Sequence, residues 1–466
     1  MHLACVFVVL LAACGGGSTT APSTGVLPVA PADPHAPSPS PTRAPTQSPT
    51  ATPPPPTSSP ATATAPPAIT TVSTRIPNTN GRIGLFQVFD YYGGYIPISQ
   101  IDQYGRRFDA VWGSVEPVPW TAVHPGMFAS QYFIMGLDQY SVTHHTLTWW
   151  QQNHPDWIFY ACTASGSPTR DIAVMGGIDV PDMPLDIHNS SAVAYQISTM
   201  ARAAKSAGYT ALAIDQVVFW NIYKGGNPNF GQTKNSTEYG CGSWHGSTFQ
   251  RHYASPTDPA YITDVLNFVA QARSIAHSYG LTLIVNHPAG SIGNSAERQL
   301  LANTDIVQDE TGFSDYGRYR TGNGSTFHAE LPYVRYAQEH GTGVLVIDKF
   351  INETTVDTLG FEYSLATYLL GNEGGLLLYV GTHYGTLQYH PEYNAAIGRA
   401  CSAVSGGPSV YSRRFSGGLS VVNASAYSAS FKLPAGTYHD IEGRTIHSTL
   451  SLTANDAYVL LGGSGC

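Results

Sequence analysis

Short apolar runs alternate with longer amphipathic stretches from about residue 82 to residue 381. Nine runs predict strands, and most are continuously apolar, which is typical of parallel strands buried on both faces. Between the later runs, apolar positions recur with helical spacing, as in Val193, Ile197 and Met200 before Gly208. The nine predicted strands are 83–89, 108–112, 131–135, 157–161, 211–215, 281–286, 305–308, 344–347 and 376–380.

Repeated strand–helix units predict right-handed crossovers and a parallel sheet. Nine candidates lie close to the eight strands of a (β/α)₈ TIM barrel, so one early run is extra or lies outside the barrel. A doubly wound sheet is the alternative, but no Gly-x-Gly-x-x-Gly turn follows a strand. Beyond Gly407 the pattern changes to short runs with tight turns, which predict a small antiparallel β domain. We therefore expect an α/β fold: a catalytic barrel over 76–405 and a β-sandwich-like domain over 406–466.

The first 75 residues differ from the rest of the chain. Residues 6–13 are apolar but shorter than the ~20 residues that span a bilayer, and they suit an export signal. Residues 15–75 hold 16 of the 33 Pro and no aromatic residue, which predicts an extended spacer. The run Leu11-Ala-Ala-Cys14 resembles the lipobox of bacterial lipoproteins. That resemblance implies a signal peptide over 1–13, lipidation of Cys14 and a tether over 14–75. A plain secretory signal is the alternative.

The cysteine pattern also favours export. If Cys5 leaves with the signal and Cys14 is lipidated, four cysteines remain, and they allow three disulfide pairings. The pairing nearest in sequence joins Cys162 to Cys241 and Cys401 to Cys466. No Cys-x-x-Cys and no His-Glu-x-x-His is present, so we expect neither a metal site nor a cofactor.

Charge is sparse and slightly acidic. The net charge is −9, and charged and aromatic residues each make up 11% of the chain. The acidic balance disfavours a nucleic-acid partner, and the aromatic content disfavours disorder in the body of the chain.

Polar side chains follow several predicted strands, and strand ends of a barrel converge on one mouth. Asp215 and Glu310 each end an apolar run, where a carboxylate is costly to half-bury. Two such groups predict the acid–base pair of glycoside hydrolysis, although a single strand-end Asp also serves as a helix cap. Asp309 is out of phase with Glu310, so only one of the two should face the mouth. Substrate-binding candidates are Asp90, Asn286, Asp348 and, for stacking on sugar rings, Trp112, Trp120 and Trp220, with core packing as the alternative for the three Trp.

Several short motifs resemble one family. They include Ala211-Leu-Ala-Ile-Asp215-Gln216, Val285-Asn286, Val307-Gln-Asp-Glu310-Thr-Gly-Phe313 and Ala366-Thr-Tyr-Leu-Leu370. In patches over 100–462, the chain resembles the hypothetical glycosyl hydrolase family 15, which is similar to barrel enzymes that cleave α-1,4-linked polygalactosamine. The resemblance implies that Asp215 and Glu310 are the catalytic pair. Gln216 departs from it, since these families usually have Asn there.

The expected function is an extracytoplasmic glycoside hydrolase that acts on a polysaccharide or oligosaccharide. We expect a monomer that is anchored by its lipid to the outer face of a bacterial membrane, at the cell surface or in the periplasm. The alternative is a non-catalytic carbohydrate-binding lipoprotein built on a degenerate barrel.

Overall fold

The computed structural model describes residues 75–91, 95–175, 181–318, 325–351 and 353–463. Eight parallel strands close into a barrel, and β8 closes on β1 where Leu85 lies opposite Leu378. The expected (β/α)₈ barrel followed by a small β domain is confirmed. The barrel strands are β1 (Leu85–Val88), β2 (Phe108–Trp112), β3 (Phe128–Ile134), β4 (Ala211–Asp215), β5 (Thr282–Asn286), β6 (Ile306–Asp309), β7 (Gly343–Lys349) and β8 (Leu376–Gly381).

The extra predicted strand lies outside the barrel. Residues around 157–161 contribute the strand Tyr160–Cys162 to an antiparallel sheet whose other strands come from the loops after β3 and β4. The disulfide Cys162–Cys241 joins its two middle strands, as the pairing nearest in sequence predicted. Cys401 is also disulfide-bonded, whereas Cys14, Cys466 and the signal over 1–13 lie outside the described residues. The sheet order is Thr248–Arg251, Tyr239–His245, Tyr160–Cys162 and Pro168–Ile172, and two-residue pairs join Leu137–Asp138 to Met183–Pro184 and Val174–Met175 to Tyr223–Lys224.

Capping residues mark the ends of the two longest helices. Asn189 accepts two backbone N–H groups at the start of one helix, and that helix ends at Gly208 in a left-handed conformation. Asp258 caps the next helix, with Pro259 in its first turn. None of the described helices is long and apolar enough to cross a membrane. The helices are α1 (Ile98–Tyr104), α2 (Pro117–Val123), α3 (Tyr140–Thr143), α4 (Leu147–Asn153), α5 (Ser190–Ala207), α6 (Pro259–Ser278), α7 (Ser295–Ala302), α8 (Ser325–Glu339) and α9 (Thr358–Gly371).

The C-terminal domain packs on α9. Residues 360–371 of that helix are all buried, because the barrel covers one side and the C-terminal sheet the other. Arg413 ties the two together, since its guanidinium donates to the backbone oxygen of Asn372 (2.7 Å) and pairs with Glu373 (2.7 Å). The limits 76–405 and 406–466 stay predictions. In sheet order the strands are Ser405–Gly406, Val410–Phe415, Gly418–Asn423, Asp456–Gly462, Tyr438–His439 and Thr445–Ile446, and a separate pair joins Ala429–Lys432 to Thr449–Leu452.

The strands of the barrel have two apolar faces that alternate along the chain. Side chains such as Ala213, Ile284 and Ile347 form a cluster inside the barrel. Their sequence neighbours, such as Ile214 and Val346, pack outward in the larger cluster with the helices. This alternation decides which strand-end side chains reach the mouth.

Candidate active site

Asp215 ends β4 on the interior face, two residues after Ala213, and is 6% exposed. Its carboxylate accepts three short hydrogen bonds. The hydroxyl of Tyr132 donates to Oδ2 (2.6 Å), while the backbone N–H of Gln216 (2.7 Å) and the side-chain amide of Asn286 (2.8 Å) donate to Oδ1. Three donors on one buried carboxyl favour its ionised form.

Glu310 follows β6 and turns into the same mouth. The hydroxyl of Tyr384 donates to its Oε1 (2.6 Å), and Nδ2 of Asn286 lies 3.4 Å from its Oε2. One amide nitrogen therefore reaches both carboxyl groups. The distance between the nearest oxygens of Asp215 and Glu310 therefore cannot exceed the sum of these 2.8 and 3.4 Å contacts.

Aromatic rings surround the two carboxyl groups. The ring of Phe89 lies 5.3 Å from that of Tyr132 and 5.9 Å from that of Tyr384, measured between centroids. Trp112 packs edge-on against Tyr132 at 6.2 Å and is almost fully buried inside the barrel. These ring contacts hold the two phenol groups that bond to the carboxyls.

Lys349 places a cation beside this pair. Lys349 ends β7, two residues after the inward-facing Ile347, and its Nζ lies 3.6 Å from the ring centroid of Tyr384. Burial lowers the pKa of Lys349, and the charge of Glu310 opposes that shift.

The two carboxyl groups differ in electrostatic environment. Burial raises the pKa of Asp215, against the hydrogen bonds from Tyr132, Gln216 and Asn286. Burial also raises the pKa of Glu310, and the neighbouring charge of Asp215 raises it further. Since like charges this close resist double ionisation, these shifts favour the negative charge on Asp215 and the proton on Glu310.

Asp348 lies outside the barrel, which corrects the expectation that it positions substrate. It shares the outward face of β7 with Val344 and Val346, and its Oδ1 accepts the backbone N–H of Ser314 (2.9 Å). The two-residue period of the strand places Lys349, not Asp348, at the mouth. Asp309 also faces outward, accepting from the backbone of Ala289 and Gly312.

Asp90 and Trp120 contact each other rather than the carboxyl pair. Asp90 accepts from the hydroxyl of Ser114 (2.6 Å), the backbone of Val115 (2.8 Å) and the indole N–H of Trp120 (3.1 Å). The ring of Trp120 is 0% exposed, so it offers no surface to a sugar. These contacts order the loop after β2.

Trp220 is the most open of the three candidate tryptophans. It lies on the loop after β4 and is 51% exposed, as a stacking platform requires. His287 holds the start of the same loop, since its Nδ1 contacts the backbone oxygen of Val217 (2.6 Å) and its Nε2 contacts Glu297 (2.9 Å). Within the described residues no group of His, Cys, Asp and Glu is arranged to hold a metal ion.

Sequence reasoning missed Tyr132, Lys349 and Tyr384. The first two follow from the two-residue period of a strand, because Tyr132 and Lys349 lie on the same face of β3 and β7 as the apolar interior residues. Tyr384 comes from the loop after β8 and carries no such periodic signal.

Gln216 has a left-handed backbone, with φ of 59°. This conformation directs its N–H to the preceding side chain of Asp215. Asn adopts it more readily than Gln does, which gives a physical reason for Asn at this position in the resembling families.

No family model matches the chain, and no curated protein matches it. Solved structures do match, among them a maltogenic α-amylase from Thermotoga neapolitana (10% identity, 82% of this chain and 96% of that chain, TM-score 0.43). A β-L-arabinopyranosidase from Geobacillus stearothermophilus matches at 10% identity (83% and 96%, TM-score 0.47). The Ega3 protein of Aspergillus fumigatus, solved with galactosamine, matches at 11% identity (69% and 100%, TM-score 0.37). Likenesses of this degree identify neither a family nor a substrate.

Proposed function

We propose that this chain is a glycoside hydrolase that cleaves a polysaccharide or oligosaccharide with Asp215 and Glu310 as its two carboxyl groups. The observation that carries the proposal is the amide of Asn286, which reaches both carboxyls at the barrel mouth. Membership of the family that the motifs resemble is part of the proposal.

The geometry favours a retaining reaction. Retaining enzymes hold their carboxyl groups ~5–5.5 Å apart, and inverting enzymes ~6.5–9.5 Å apart. The two contacts of Asn286 hold the nearest oxygens of the pair close together, which suits the shorter of these separations.

Each residue then has one role in each of two steps. A carboxylate oxygen of Asp215 bonds to the anomeric carbon, the glycosidic carbon–oxygen bond breaks, and the proton of Glu310 passes to the leaving oxygen. Water next bonds to the anomeric carbon and gives a proton to Glu310, while the ester to Asp215 breaks.

We also propose that the enzyme acts outside the cytoplasm, as a monomer anchored through lipidated Cys14 to the outer face of a bacterial membrane. The Cys162–Cys241 disulfide supports an oxidising compartment. The apolar run 6–13 and the Pro-rich tract support export and a spacer. The membrane contact would be the lipid alone, and the partner would be the glycan.

The test compares full-length wild type with Asp215→Asn and Glu310→Gln for release of reducing ends from bacterial exopolysaccharides. We expect each variant to lose at least ~100-fold in rate. Asp102→Asn, an exposed carboxylate on α1, is the matched control and should keep full activity. Wild-type activity in either site variant would remove that residue from the mechanism.

Two further readouts separate the alternatives. The first product, observed by NMR before mutarotation, should keep the anomeric configuration of the substrate, and an inverted product would contradict the retaining mechanism. Glycan binding without any turnover would favour the non-catalytic alternative.

A further inference from the structure

Lys349 lies beside the carboxyl pair, although the proposed two-carboxyl reaction needs no cation there. Asp309 lies opposite Val346 in the sheet, so Lys349 is two residues closer to the mouth than the position level with Glu310. At ~3.3 Å per residue, this offset is roughly 6–7 Å along the strand beyond the acid. The ammonium therefore borders the space that a sugar must occupy to reach Glu310.

The ammonium of Lys349 keeps its hydrogen-bonding capacity. Lys349 is half-buried, and within the described residues its Nζ makes no hydrogen bond and no ion pair. Its contact is with the ring face of Tyr384 at 3.6 Å, a cation–π contact that supplies no oxygen acceptor. A half-buried ammonium whose N–H groups bond to no described protein oxygen can donate them to acceptor oxygens of a ligand in place of water.

The ring beneath the ammonium is fixed. The hydroxyl of Tyr384 is bonded to Glu310 (2.6 Å) and its ring packs against Phe89. The cation therefore has a defined place relative to the acid.

The charges described beside Glu310 give a cationic sugar no net attraction. With Glu310 protonated, the carboxylate of Asp215 is offset by the ammonium of Lys349. Asp90, which follows β1, has both oxygens occupied by Ser114, Val115 and Trp120. A free amine on the bound sugar would meet Lys349 without an unpaired carboxylate to compensate.

We propose that Lys349 is a specificity-determining residue that binds an acceptor oxygen of the sugar beside Glu310 and discriminates against sugars with a free amine. The acceptor is the oxygen of an acyl group or of a carboxylate. This inference rests on the proposed site and narrows its substrate class to acylated or acidic sugars, away from the unmodified polygalactosamine that the motif resemblance suggests.

The test measures binding rather than turnover. Full-length Glu310→Gln, which blocks turnover and replaces the protonated acid by a neutral amide, is titrated calorimetrically at pH 6 with three hexamers of equal length: α-1,4-linked galactosamine, its fully N-acetylated form, and α-1,4-linked galacturonic acid. We expect the acetylated or the acidic hexamer to bind at least tenfold more tightly than the amine, and the better of those two to identify the acceptor.

Adding Lys349→Met should reduce that preference at least tenfold, and Lys349→Arg should retain most of it. Lys205→Met, which removes an exposed charge on α5, is the matched control, and thermal melts check that each variant folds. Equal or tighter binding of the amine, a preference unchanged by Lys349→Met, or no binding of any hexamer would overturn the proposal. Selective binding by a wild-type chain that never cleaves the hexamer would contradict the hydrolase function alone.

Discussion

The hydrogen bond from Tyr384 to Glu310 can be removed by a substitution that keeps the aromatic ring in place. Tyr384→Phe deletes only the hydroxyl that lies 2.6 Å from Oε1 and keeps the ring that contacts Lys349 and Phe89. This hydrogen bond lowers the pKa of Glu310 because it stabilises the anion. Hydrogen bonds to charged groups contribute about 1.5–3 kcal/mol, and one pKa unit corresponds to about 1.4 kcal/mol. The variant should therefore raise the pKa of Glu310 by about 1–2 units.

The assay is the pH dependence of kcat/KM on the glycan that wild type cleaves. Because the acid must be protonated, the alkaline limb of the profile should move to higher pH by about 1–2 units. The acid limb reports the other titration of the carboxyl pair and should move little. An infrared titration of the protonated carboxyl band, assigned with Glu310→Gln, measures the same shift without substrate. Tyr389→Phe, which removes a hydroxyl bonded to Asn394 on an exposed loop, is the control. An alkaline limb that stays in place or moves downward would refute the assignment of Glu310 as the acid.

Two further predictions concern stability. Gln216→Asn should raise the free energy of unfolding by about 0.5–1 kcal/mol, because Asn tolerates the left-handed backbone at φ 59°; urea denaturation checks it, and a loss of stability would argue against strain there. Burial raises the pKa of Asp138 to about 7, so the native state keeps this proton while the unfolded chain loses it near pH 4. Asp138 therefore contributes stability at low pH. The free energy of unfolding falls by up to about 1.4 kcal/mol per pH unit as the pH rises from about 4 towards 7. Asp138→Asn should flatten the fall of the melting temperature over that range, and an unchanged slope would contradict the buried neutral carboxyl.

The sequence predicts the barrel because its strands are continuously apolar and its helices carry ordinary caps. The same pattern cannot separate a buried barrel strand from a buried strand of an inserted sheet, and this is why 157–161 appears as a ninth candidate. Only the pairing of Tyr160–Cys162 with Tyr239–His245 distinguishes the two, and that pairing depends on contacts distant in sequence.

The carboxyl pair is predictable from local sequence, whereas the residues that hydrogen-bond to it are not. Asp215 and Glu310 end apolar runs, so their position is encoded locally. Tyr384 reaches Glu310 from 74 residues away along the chain. The prediction for Asp348 was wrong because it considered only that a carboxylate ends the strand. The two-residue period of the strand places Lys349 at the mouth instead.

The complete burial of α9 affects how far this protein can be divided. A barrel helix normally leaves one face to solvent, but residues 360–371 have none exposed, and the backbone N–H of Val459 donates to Glu362 within the helix (2.9 Å). The C-terminal sheet thus replaces solvent along one side of the barrel. Cutting the chain near residue 405, where the composition invites a domain boundary, would leave an apolar helix face in water. The unit that folds, and that could be recombined with other modules, is therefore the barrel together with its C-terminal sheet.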